Sequence, residues 1–287
     1  METGKRFTER WYGAALVTLV LIIMAQFLAL IADSLFPLKE KSGFLPAFRT
    51  YMSDLWLWLL FIPVMLAHPA DRETVTSLIR RGQGKRALAG TALGLALIAV
   101  CYGAAWAAGD LKPVVVGASA GELILMLFAV LVQAGGEELA FRGFLLERCR
   151  RDMGKPWAAV LLNALLFGAL HLVNENVTVA GFLGTLFMGA LLAVVYVCYG
   201  SLWQVILLHT AWNWLQNVIL GLPNSGWVFS CSLLGTANVT ETATFFYDPR
   251  FGLEGSWLCP LLAAAAALIC IAKGAVSLRK SEAVLFI

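Results

Sequence analysis

The sequence predicts an all-α, polytopic membrane protein folded as a single bundle of about eight transmembrane helices. Three observations predict it. Of the 287 residues, 60% are hydrophobic and 14% charged, against about 25% charged in soluble domains. Mean hydropathy is +0.79. Apolar runs of about 17 residues or more, enough at 1.5 Å per residue to cross a ~30 Å hydrocarbon core, recur along the whole chain. The third observation is the distribution of cations between the runs.

The expected spans are residues 12–36, 51–68, 87–108, 118–141, 157–174, 178–199, 201–222 and 256–274. Lys5, Arg6 and Arg10 ahead of the first suit a secretory leader, but that run is too long and lacks a small-residue cleavage pattern, so it reads as a retained helix. Residues 69–86 and 142–156 form basic connections, and Lys155-Pro156-Trp157 marks a helix start, with proline at its first turn. Residues 223–255 form the one long connection. Pro223-Asn224-Ser225-Gly226 signals a turn there, and Phe245, Phe246 and Tyr247 are expected at the membrane interface. The role of this loop is not legible in the sequence. No soluble domain, internal repeat or low-complexity tract is evident, so residues 1–287 read as one membrane domain with a motif-bearing core at about 118–222.

With the N-terminus inside, sixteen Lys and Arg fall on inner segments and five on outer ones: Lys39, Lys41, Arg49, Lys112 and Arg250. The positive-inside rule then puts both termini on the cytoplasmic side, most simply of the cell membrane. Topology accounts for these cations, and the net charge of +3 calls for no nucleic-acid partner. The six cysteines include no Cys-x-x-Cys spacing, so neither a redox motif nor a structural zinc site is indicated. Whether Cys231 and Cys259, both outer, pair in a disulfide stays open. The sequons at Asn176 and Asn238 are also expected on the outer side, and Gly90-x-x-x-Gly94 suits close helix packing.

Against this apolar background stands Gly135-Gly136-Glu137-Glu138-Leu139-Ala140-Phe141-Arg142. A charge at membrane depth costs several kcal/mol, roughly 2.5 or more, and marks a functional site by default. Glu138 and Arg142, four apart, share a helix face and are expected to form an ion pair, whereas Glu137 points about 100° away and is left free as a base. Two of the three histidines also lie within spans. Asn163, Phe167 and His171 repeat every four residues on one face, and His209 and Asn213 do so on another. His68, beside Pro69 at a span end, reads as interfacial and structural.

Peptide hydrolysis needs a base working near neutral pH and donors aimed at the developing oxyanion. A buried carboxylate supplies the first, an imidazole and an Asn amide the second. Two histidines and a glutamate could instead hold zinc, with Glu137, His171 and His209 as ligands; the lack of His-Glu-x-x-His favours direct water activation. A different class of function, a transporter or an immunity or scaffold protein using its buried charges for ion or partner binding, is the alternative.

Glu-Glu-x-x-x-Arg on one helix, Phe-x-x-x-His on the next and His-x-x-x-Asn further on resemble, in order and spacing, the CAAX protease and bacteriocin-processing (CPBP) family of intramembrane endopeptidases. The resemblance covers residues 137–213. It implies that Glu137 activates water with help from His171, that His209 and Asn213 stabilise the oxyanion, and that Glu138 and Arg142 support them. It also implies a membrane-associated or lipidated protein or peptide as substrate. The family has been described both as metalloprotease and as glutamate-type protease, so the resemblance leaves zinc open.

Overall fold

The structure, a computed structural model, describes residues 7–284; Lys5 and Arg6 lie outside the described residues. A helix occupies every segment that the hydropathy marks. In chain order these are α1 (Trp11–Leu35), α2 (Phe44–Met52), α3 (Leu55–Ala67), α4 (Pro69–Ser77), α5 (Gly84–Ala107) and α6 (Ala120–Glu138). There follow α7 (Glu147–Met153), α8 (Pro156–Leu170), α9 (Val179–Tyr199), α10 (Leu202–Asn213) and α11 (Leu258–Val284). Among the described residues six helical segments are long and apolar enough to cross a membrane: 11–35, 44–67, 84–107, 120–153, 156–173 and 179–199. Leu258–Gly274 is a shorter apolar helix. The chain is an integral, multi-pass membrane protein.

Burial ranks these helices. The 120–153 and 179–199 segments are 56% and 61% buried, the other four between 22% and 28%, so two helices form the centre and the rest surround it. Outward faces are apolar: Ile23, Phe27 and Leu30 on α1, Leu161 and Leu165 on α8, and Leu268 on α11 are all exposed. Such surfaces are stable only against lipid.

Lipid tails are as apolar as leucine, so helices associate in a bilayer by close packing, which small residues permit. A Cβ on Gly90 would lie 1.9 Å from the Gln204 carbonyl oxygen, and one on Gly94 2.6 Å from that of Leu208. The Gly-x-x-x-Gly pair of α5 therefore sets its contact with α10 and fixes α10 at the height of His209. Gly135 and Gly136 do the same for α3. Trp58 presses against Gly135, where a Cβ would meet its Cζ2 at 2.4 Å, and Trp58 Nε1 donates to the Val132 carbonyl at 2.8 Å.

The chain departs from the all-helical expectation at one end, where β1 (Leu111–Val115) and β2 (Leu234–Asn238) form a two-stranded antiparallel sheet pairing Leu111 with Asn238 and Val115 with Leu234. The loop between α10 and α11 is not an exposed excursion. Its Leu222, Phe251, Leu253, Glu254 and Ser256 are buried. Gly252, at φ 102°, admits only glycine, because a Cβ would also strike the Pro223 carbonyl oxygen at 2.2 Å. Tyr247, expected at the interface, is 1% exposed. All six cysteines are free thiols; Cys231 packs beside Tyr51 and Met126, Cys259 in the main core, so the Cys231–Cys259 disulfide is not formed.

At the other end, buried Asp71 of α4 accepts from Arg148 Nε at 3.0 Å and Nη2 at 2.7 Å, and pairs with Arg151. His68 joins this cluster, its Nε2 at 3.2 Å from Glu9 Oε1. The basic connections are thus tied to one another, consistent with a structural reading of His68.

Because Gly90 touches backbone, which cannot move aside, Gly90→Val is expected to lower stability by about 1–3 kcal/mol or more. Thermal unfolding in detergent, compared with Gly103→Ala on the same helix, where a Cβ meets nothing within 4 Å, checks this. Equal midpoints for the two variants would contradict the packing assigned to α5 and α10.

Candidate active site

Ser119 caps α6 through a capping box with Glu122, and the helix runs unbroken to Glu138. Directly after the two glutamates the backbone widens into a π-helical stretch, Leu139–Leu146, and α10 does the same after Asn213, over Trp214–Ile219. Single π turns in helices concentrate at functional sites, since the extra residue redirects side chains without ending the helix. Here both changes of pitch lie directly C-terminal to the expected site residues.

Glu138 and Arg142 are fully buried and form the ion pair expected from their spacing, Arg142 Nη1 to Glu138 Oε1 at 2.9 Å. The guanidinium also donates from Nη2 to the Gly189 carbonyl at 2.9 Å and stacks 4.6 Å from the Phe167 ring centroid. Glu138 Oε1 takes a second donor, His209 Nδ1, at 2.9 Å. One carboxylate oxygen therefore joins α6 to α10, and Arg142 continues the link to α9.

That contact defines His209. With the Nδ1 proton donated to Glu138, Nε2 faces Asn213 Nδ2 at 3.1 Å and Glu137 Oε2 at 3.9 Å. Asn213 Nδ2 also donates to Gln133 Oε1 at 3.0 Å, and Gln133 Nε2 donates to Glu137 Oε1 at 2.5 Å. Glu137 is thus not unpartnered, as the sequence suggested. Gln133 holds one of its oxygens and leaves Oε2 on the cavity side.

His171 begins a 3-10 turn at the end of α8, its Nδ1 donating to the Phe167 carbonyl at 2.8 Å. A carbonyl only accepts, so the neutral ring carries its proton on Nδ1 and leaves the Nε2 lone pair available. His171 lies close enough to Glu137 and His209 for their charges to interact. Asn163 is not at the reacting groups; its Nδ2 donates to the Phe141 carbonyl at 2.8 Å and holds the π-helical stretch against α8.

Glu137, His171, His209 and Asn213 open onto one cavity of about 890 Å³, together with Gln133, Asp54 and Glu254. Its walls come from α1, α2, α3, α6, α8, α9 and α10 and from the 223–255 loop. Glu254 closes the loop side. It accepts from Trp212 Nε1 at 2.8 Å and Gln216 Nε2 at 2.6 Å, and burial pushes its carboxyl above the usual range while these donors pull it down. Asn224 anchors the same loop, accepting from Gln216 Nε2 at 3.2 Å and donating to the Tyr51 hydroxyl at 3.4 Å.

Among the described residues no group of three or more His, Cys, Asp or Glu is gathered as metal ligands would be. Glu137, His171 and His209 share the cavity without converging as a zinc site, and His209 is committed through Nδ1 to Glu138 and through Nε2 to Asn213. The donor set present does not fit the zinc alternative.

Residues 119–215 match the family model described as Type II CAAX prenyl endopeptidase Rce1-like. Over those residues the chain is similar to the CAAX protease family. The matched third of the chain runs from the α6 cap to just beyond Asn213 and takes in every site residue named from the sequence. No curated protein and no solved structure matches the chain.

Gln133, Asp54 and Glu254 were not singled out from the sequence. Gln133 alone left a usable signal, four residues before Glu137 on the same face.

Removing one partner of a buried pair strands the other's charge, at about 3–5 kcal/mol, whereas replacing both with apolar groups is far milder. Arg142→Met is therefore expected to destabilise the protein by that amount, and Glu138→Leu with Arg142→Met to recover part of it, since His209 Nδ1 then loses its acceptor. Chemical unfolding in detergent of the single and double variants measures the difference. A double variant no more stable than the single would remove the ion pair as the cause.

Proposed function

We propose that the chain is an intramembrane endopeptidase that hydrolyses a peptide bond in a membrane-associated protein or peptide tail, using water activated by Glu137. The observation that carries this reading is the continuous hydrogen-bonded chain Glu137–Gln133–Asn213–His209–Glu138–Arg142 on the wall of a cavity large enough for a peptide segment. A base, an acid–base partner and oxyanion donors face the same space.

Each role follows from the free atoms. Glu137 Oε2, with Oε1 held by Gln133, takes a proton from water, and the hydroxide attacks the scissile carbonyl carbon. His171 Nε2 is the second basic atom and orients that water. The carbonyl oxygen, now an oxyanion, lies between Asn213 and His209, and it replaces His209 Nε2 as the acceptor of the Asn213 N–H. As substrate displaces the Asn213 contact, His209 Nε2 takes up a proton from solvent, keeps it through the turnover and donates it to the oxyanion, its charge balanced by Glu138 and Glu137 at 2.9 and 3.9 Å. Collapse breaks the C–N bond, and the proton on Glu137 passes to the leaving nitrogen. No step requires a metal.

The bilayer is the solvent for this enzyme, and a cell membrane with both termini cytoplasmic is the orientation that the basic connections favour. The tail cleaved is lipidated or otherwise membrane-bound, since the cavity reaches the lipid-facing residues Phe27 and Leu30 of α1.

Glu137→Gln keeps the Gln133 contact but cannot accept the proton, so turnover is expected to fall at least ~10³-fold. Asn213→Ala is expected to lose ~10²–10³-fold, the range for one oxyanion donor. Processing of a membrane-protein pool by cells carrying each variant, followed by mass spectrometry of released peptides, reads both. Full processing by Glu137→Gln would end the water-activation role.

Direct activation also predicts that purified protein retains its activity after dialysis against a zinc chelator. Activity lost on dialysis and restored by zinc would replace Glu137 as sole activator with a metal route.

A further inference from the structure

The cavity is electrostatically one-sided. Its lining includes four carboxylates, Asp54, Glu137, Glu175 and Glu254, and neither a lysine nor an arginine. Three of the four are accounted for. Glu137 is held by Gln133, Glu254 by Trp212 and Gln216, and Glu175 stands exposed at the rim.

Asp54 is different. It occupies the N-cap position of α3, where an aspartate ordinarily accepts from the first backbone N–H groups, yet its side chain makes no capping bond. No described residue donates to its carboxylate. The helix end is delivered to the site by close packing: a Cβ on Gly136 would meet the Asp54 carbonyl oxygen at 3.0 Å and Leu57 Cβ at 3.1 Å. The two glycines before Glu137 thereby bring Asp54 beside it, close enough for the two charges to interact. Two neighbouring carboxyl groups with no cation between them either hold a proton or take a cationic partner, and an ammonium or guanidinium entering the cavity would displace that proton. Tyr51, Trp227 and Phe229 on the same wall offer aromatic faces, which also favour a cation.

We infer that the cavity selects a substrate carrying a Lys or Arg side chain next to the scissile bond, bound by Asp54, and rejects one that places a free C-terminal carboxylate there. This rests on the peptidase reading of the same cavity and names its substrate class. A carboxylate entering would find four acidic side chains and no Lys or Arg, whereas an ammonium or guanidinium would find an uncommitted acceptor and aromatic faces.

The test uses the full-length protein in lipid nanodiscs and internally quenched peptides that differ at one position beside the scissile bond: Lys, Ala or Glu, the Ala peptide also with its terminal carboxylate at that point. Cleavage of the Lys peptide is expected to exceed that of the Glu peptide at least tenfold in kcat/KM, mostly through KM. Asp54→Asn should bring this ratio close to one, and Asp54→Glu should restore part of it. Binding of the same peptides to Glu137→Gln protein, by fluorescence anisotropy, should show the same order without turnover. Equal handling of Lys and Glu peptides, or a preference that survives Asp54→Asn, overturns the inference while cleavage itself upholds the peptidase reading. A Lys preference in binding with no cleavage by the unaltered protein overturns the peptidase reading instead. Neither binding nor cleavage overturns both.

Discussion

The architecture depends on one buried carboxylate. Glu138 is fully enclosed within a helix that is itself enclosed, and at that depth an unpaired charge would be too costly to keep. Two donors meet its Oε1, Arg142 from one turn along the same helix and His209 from α10. The guanidinium is capped in turn by the Phe167 ring and bound to the α9 backbone at Gly189. The local i, i+4 pair neutralises the charge, and the long-range contacts turn that neutralisation into a fixed relation between three helices. A salt bridge at this depth is weak evidence of stability for its own sake, but it specifies register. Here the register specified is that of His209 against Glu137.

Close backbone approach is the second constraint, and it works where the ion pair cannot reach. Glycines on α5 hold α10 from behind, and glycines on α6 admit α3 from the side. Each contact sits within two helical turns of a polar side chain of the site. The Gly184 position continues the theme, since a Cβ there would lie 2.0 Å from the Glu254 carbonyl oxygen and would push the loop away from the cavity. In a bilayer, where no hydrophobic force drives helices together, such contacts determine which polar groups can meet. The two π-helical stretches then add the local rotation that lets neighbouring residues serve different partners.

These physical causes explain what could be read from the chain. Helix positions, the charged motif and the two histidine pairs were legible because hydropathy and i, i+4 spacing are local properties. Gln133 obeys the same rule, but an uncharged amide in an apolar helix carries little signal by itself. Asp54 had none, since it lies 83 residues before Glu137 and its proximity depends on glycines elsewhere. The sheet was equally hidden: β1 and β2 are short, β1 contains Pro113, and their partners lie more than a hundred residues apart. The 223–255 loop reads as polar and aromatic surface, yet Asn224 and Glu254 within it are buried because Trp212, Gln216 and Tyr51, all outside it, satisfy their polar atoms. Tertiary satisfaction of that kind leaves no periodicity.

Two adjacent glutamates come to differ through a rotation of about 100° between neighbouring helical residues. Glu138 turns toward Arg142 and His209 and has no exposed side-chain surface, whereas Glu137 turns toward the cavity and keeps 23% of its side chain exposed. The first can organise the site because it never meets water. The second can act on water because a neighbour already provides the binding of the imidazole, leaving its outer oxygen uncommitted. The chemistry proposed for this protein therefore rests on position and not on residue type, with Gln133, four residues before Glu137, and Arg142, four after Glu138, giving the two identical side chains different partners.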